Sequence, residues 1–106
     1  MKLSENEFAG LVRRALEHIP APFAAYLEEI VIDVEPMPDP AACREGEVDD
    51  PRELLGIYIG TPLTERSVDD SLRLPDRIVL YQRNIERECH TKEEVIDEIR
   101  TTVLHE

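Results

Sequence analysis

Apolar residues recur at Phe8, Leu11, Val12, Ala15, Leu16 and Ile19, the spacing of one helix face. Ser4 precedes this run as an N-cap residue, and Glu7, three positions later, completes a capping box. Leu3 and Phe8 stand where a hydrophobic staple would fix the entry of the chain. The pattern predicts a helix that starts at Ser4 and is ended by Pro20 and Pro22. Pro22 can open a short second helix carrying Phe23, Tyr26 and Leu27.

The period then changes. Ile30, Val31, Ile32 and Val34 are β-branched and close together, which predicts a strand over 30–34. In residues 35–52, Pro36, Pro38, Pro40 and Pro51 interrupt any regular element, and Asp39, Glu45, Glu47, Asp49 and Asp50 favour solvent. This stretch reads as an exposed loop, long enough in a small domain to raise the question of a function. A second strand is expected over 54–60, a polar loop over 61–67 and a third strand over 76–82. Residues 84–88 suit a helical turn. Thr91, with Glu94 at the capping-box position, starts the last helix, whose apolar stripe is Val95, Ile96, Ile99 and Val103.

A length of 106 residues suits one domain spanning 1–106. The 24 acidic and 12 basic residues leave a net charge of -12, a field that repels phosphate backbones and anionic lipid surfaces. Nucleic acid and membrane are therefore not expected partners. No apolar run approaches the roughly 20 residues of a membrane span. The first residues lack the apolar centre of a signal peptide, so a cytoplasmic location is the expectation. Cys43 and Cys89, far apart and outside any CxxC, are expected to be reduced thiols.

The candidate chemistry sits on the last helix. At about 100° per residue, Glu106 falls near the azimuth of Ile99 and Val103, and His105 falls to the side, near Glu98. The helix can thus bury one face while His105 points into a cleft. His-Glu is how the HExxH motif begins, in which two histidines four apart hold zinc and the glutamate is the general base. The dipeptide alone carries little information, because a histidine near a helix C-terminus also interacts favourably with the helix dipole. No Gly, Asn or Pro follows the last apolar residue, so the pattern reads as a helix expected to continue beyond Glu106. His18, beside the apolar stripe of the first helix, reads as a surface residue. His90 lies at the opposite end of the last helix from His105, too distant to share a metal at about 1.5 Å per residue.

Several separate stretches, in order from residue 19 to 106, resemble the minimal zincin-like metallopeptidases, small bacterial proteins. They are Ile19-Pro20 with Phe23, Ala24 and Leu27; the strand over 30–34 with Glu35; residues 54–67, from Leu54 through Gly56, Tyr58, Gly60 and Pro62 to Ser67; Leu74-Pro75-Asp76-Arg77 with Ile78 to Tyr81; and Thr102-Val103-Leu104-His105-Glu106. The resemblance implies a compact α+β domain, with a small mixed sheet packed against N-terminal helices and a C-terminal active-site helix. It implies a zinc-dependent peptidase acting on peptide or protein substrates, with His105 as the first zinc ligand and Glu106 as the catalytic base. The family's remaining ligands have no counterpart up to Glu106. A catalytic zinc needs three protein ligands, so this 106-residue polypeptide is expected to be inactive by itself. The second strand or its loop could align an extended peptide by strand addition. The competing reading is a non-catalytic interaction domain that keeps the fold, with its acidic surface and proline-rich segment serving a protein partner.

Overall fold

The computed structural model describes residues 1–60 and 76–105. The elements follow in the order α1 (Glu5–Glu17), α2 (Phe23–Leu27), β1 (Val31–Glu35), α3 (Pro40–Glu45), a 3-10 turn (Pro51–Glu53), β2 (Gly56–Ile59), β3 (Arg77–Tyr81), α4 (Gln82–Arg87) and α5 (Lys92–His105). The fold is α+β, as the resemblance implies. The loop expected over 61–67 and the residue Glu106 lie outside the described residues.

The start of α1 is built as its sequence dictates. Ser4 Oγ accepts the Glu7 N–H at 3.1 Å, and the Glu7 carboxylate accepts the Ser4 N–H at 3.2 Å. Leu3 and Phe8 are both buried beside this cap, with Leu11, Val12 and Ala15 continuing the face. That face packs on α5.

The sheet has the order β1-β3-β2. Strand β3 is central, parallel to β1 with Asp33 opposite Val79, and antiparallel to β2 with Ile57 opposite Val79. Alternation along β3 supplies two cores. Ile78 and Leu80 face the helices and join Phe8, Ile85, Val95, Ile99 and Val103. Val79 and Tyr81 face the other way and pack with Leu54 and Ile57 under Ala42 and Val48. A strand covered on both faces has no polar alternation, which is why residues 78–81 read as an apolar run.

The expectation of an uninterrupted loop over 35–52 is corrected. Asp39 accepts the Ala42 N–H at 2.8 Å and caps α3, with Pro40 in its first turn. Asp50 caps the 3-10 turn through the Arg52 N–H, with Pro51 in the same position. Proline at a helix start lacks only an N–H that would have no helical acceptor anyway, and its fixed φ suits the helix. The Asp-Pro pairs start helices where they were read as breaking them.

Helix α4 is anchored by buried polar side chains. Glu86 accepts the Leu3 N–H at 3.0 Å, Gln82 Nε2 at 2.8 Å and Arg83 Nη1 at 2.8 Å. Asn84 Nδ2 donates to the carbonyls of Pro51 at 2.8 Å and Leu54 at 2.6 Å, tying the entry of β2 to α4. Cys43 and Cys89 are free thiols. Among the described residues no helix is long and apolar enough to cross a membrane.

Candidate metal-binding helix and adjoining cleft

Thr91 Oγ1 accepts the Glu94 N–H at 3.1 Å at the start of α5. The Glu94 carboxylate accepts the N–H of His90 at 2.9 Å, one residue before the position a capping box would use. Val95, Ile99, Thr102 and Val103 are the buried face of the helix. Its last turns lie tightly on the sheet because Gly56 of β2 has no side chain. A Cβ there would come within 2.8 Å of Thr102 Cγ2 and 3.0 Å of the Val79 carbonyl oxygen. Thr102 meanwhile donates its hydroxyl to the Glu98 carbonyl at 2.8 Å. His105 follows three residues later on the exposed side of the helix, in agreement with the azimuth deduced from the apolar stripe.

Beside this turn lies an apolar cleft of about 370 Å³. Its walls come from α2 (Phe23, Leu27), from Ile78 of β3 and from Val103 and Leu104, the two residues before His105. Phe23 and Tyr26 leave more than half of their surface in solvent although α2 is a helix of aromatic and aliphatic residues. At the rim, the Tyr58 hydroxyl donates to the Asp76 carboxylate and lies 3.3 Å from the Tyr26 hydroxyl. The Asp76 hydrogen bond, then that of Tyr26 and burial, hold the Tyr58 proton well above the ordinary phenol range. Tyr58 is therefore a neutral hydroxyl at any physiological pH. This polar rim escaped the sequence reading. Tyr58 alternates with Ile57 and Ile59 and so shares the helix-side face, but nothing local pairs it with Tyr26 or Asp76.

A family model described as zincin-like metallopeptidase matches residues 27–106. The chain belongs to that family. The zincin-like match takes in the end of α2, the whole sheet and α5, and leaves α1 before it. No curated protein matches the chain. The zincin-like family is one of metallopeptidases, typically zinc-dependent, and so implies peptide or protein substrates.

The other histidines of this zincin-like chain stand apart from His105. His18 is exposed as the C-cap of α1, its N–H donated to the Ala15 carbonyl, with the following Ile19 N–H donated to that of Leu16. His90 is exposed at the far end of α5. Among the described residues no group of three or more His, Cys, Asp or Glu is arranged to hold a metal ion. A catalytic zinc takes three protein ligands, so the described residues do not by themselves form a zinc site. His105 is exposed in the last turn of α5, within the stretch that the family model matches.

Proposed function

We propose that this chain provides the metal-binding helix of a zinc-dependent metallopeptidase, with His105 as one zinc ligand and Glu106 as the general base. The observation that carries the reading is the family match running through α5 to residue 106, together with the exposed place of His105 on a helix otherwise fixed to the sheet. When bound, zinc supplies a Lewis acid for the scissile carbonyl. Glu106 takes the proton of the attacking water and returns it to the leaving amine. The further ligands come from outside the described residues.

The substrate side of the proposal uses the cleft and the sheet edge. Among the described strands β2 is paired on one side, with β3. An extended peptide adds along its other side by backbone hydrogen bonds, and an apolar side chain enters the cleft between Phe23 and Leu104. Elemental analysis of the full gene product tests the reading. Zinc is expected in stoichiometric amount, lost in His105→Ala and retained in Glu106→Gln. Peptide cleavage in Glu106→Gln should fall by about 10²–10⁴-fold, the usual contribution of a general base. A full gene product that binds no zinc refutes the proposal and leaves the interaction-domain reading in its place.

A further inference from the structure

The sheet face turned away from α5 carries a second cleft, of about 520 Å³, between the sheet and α3. Its lining includes three acidic residues, Glu35, Asp39 and Glu45. Among the described residues none of these three has a basic partner. Arg77, which lines the cleft at the other end of β3, is already paired with Asp33 at 2.5 Å. Asp39 spends one oxygen on the α3 cap, which leaves its charge in place.

The second observation is Tyr81, which also lines this cleft. Its side chain is 2 % exposed, and its hydroxyl has no hydrogen-bond partner among the described residues. Buried hydroxyls are nearly always paired, so an orphan one asks for an explanation. Burial first, and then the charges of Glu35 and Asp39, push this phenol up to about 12. The hydroxyl therefore lies within the field of the acidic wall.

The rest of the lining decides what the occupant is. Ala42, Ile57 and Val79 make an apolar floor. No group of three metal-ligating side chains converges among the described residues. A bare cation would leave that floor uncovered. A cation on an aliphatic stem covers it, as lysine and arginine do when the stem lies on apolar surface and the charged head reaches polar groups.

We propose that this cleft binds the side chain of a lysine or arginine from a protein or peptide partner. The stem lies on Ile57 and Val79. The cationic head donates to Tyr81 Oη and to the carboxylates of Glu35 and Glu45. The net charge of -12 draws basic segments toward the molecule. The cleft is on the face opposite α5, so the proposal stands independently of any zinc chemistry.

The test is an amide NMR titration of the full chain with the capped peptide acetyl-Gly-Gly-Lys-Gly-Gly-amide and with its norleucine counterpart. The lysine peptide is expected to shift Ala42, Glu45 and Tyr81 saturably, and the norleucine peptide to leave them unmoved. Glu35→Gln with Glu45→Gln removes two exposed charge pairs and should weaken binding about tenfold. Tyr81→Phe removes one hydrogen bond and should weaken it about threefold. Added salt should weaken binding in the parent far more than in the double variant. Equal binding of the norleucine peptide overturns the proposal, as does undiminished binding in the double variant. So does a titration in which calcium shifts these amides and the lysine peptide does not.

Discussion

Replacing Gly56 by alanine tests whether the last turns of α5 are seated on β2 by close approach. The added Cβ would stand 2.8 Å from Thr102 Cγ2, 3.0 Å from the Val79 carbonyl oxygen and 3.4 Å from Leu80 Cδ2. Carbon contacts are comfortable at about 3.5–4.0 Å, so helix and strand must separate by several tenths of an ångström. Overpacking of this kind costs about 1–3 kcal/mol. Gly56 has no positive φ, so alanine also recovers about 0.5–1 kcal/mol of chain entropy. The expected net loss is about 1–2 kcal/mol, with a fall in Tm of about 4–8 °C per kcal/mol. Urea unfolding followed by far-ultraviolet circular dichroism measures it, with an unchanged m-value. Thr102→Ser isolates the contact, because it deletes Cγ2 and keeps the hydroxyl that donates to Glu98 at 2.8 Å. By itself it should cost about 0.8 kcal/mol for the lost methyl. The double variant should cost about 1 kcal/mol less than the two losses added, the remainder reflecting the carbonyl of Val79, which cannot be trimmed. A neutral Gly56→Ala, or a cycle additive within about 0.3 kcal/mol, would refute the seating of α5 described above.

Glu86→Gln should destabilise the fold at pH 7 by about 1–3 kcal/mol, since the donors of Leu3, Gln82 and Arg83 would then face an amide with one acceptor oxygen. Burial raises the Glu86 pKa, but the hydrogen bonds from Gln82, Leu3 and Arg83 outweigh it and leave it below the ordinary glutamate value. Its stabilising contribution is therefore present above that ordinary value and is lost as the pH falls through the lowered value. The variant's stability should decline less steeply than the parent's on acidification. Asn84→Ala removes the donor to the Leu54 carbonyl and leaves that of Pro51 with only the Leu54 N–H at 3.5 Å. It should cost about 1–3 kcal/mol in the same urea assay, with hydrogen exchange rising first over residues 51–55. Burial, then the charges of Glu98, Glu94 and Glu88, push the Cys89 thiol up to about 11. A thiol reagent at pH 8 should therefore modify half-buried Cys43 first and reach Cys89 only on unfolding. Rapid double modification of the native protein would contradict this.

Helices α1 and α5 were legible because their information is local. Ser4 with Glu7 and Thr91 with Glu94 mark their starts, and their apolar stripes give the buried faces. The exposure of His105 follows from the same stripe. The Tyr26–Tyr58–Asp76 rim was not legible, since its members are 32 and 18 residues apart and meet only through strand pairing. The strand order β1-β3-β2 is nonlocal in the same way.

Helix α3 and the 3-10 turn after it are different, because each had a local signal that was outweighed by four prolines. Asp39-Pro40 and Asp50-Pro51 each pair an N-cap residue with a residue suited to a first helical turn. The stronger argument comes from β3. Residues 78–81 are buried without alternation, and a strand in a small sheet reaches that state only if both faces are covered. Helices α1 and α5 cover one face. The second cover must be an element other than these, and the stretch over 35–52 is where the chain has residues to spare. An unbroken apolar strand thus implies a capping element in the segment that looked least regular. The same element closes the acidic cleft over Tyr81. Moving α3, for example with Asp39→Ala, should loosen the Val79 and Tyr81 cluster and leave the Ile78 and Leu80 core intact, a separation that residue-level hydrogen exchange would resolve.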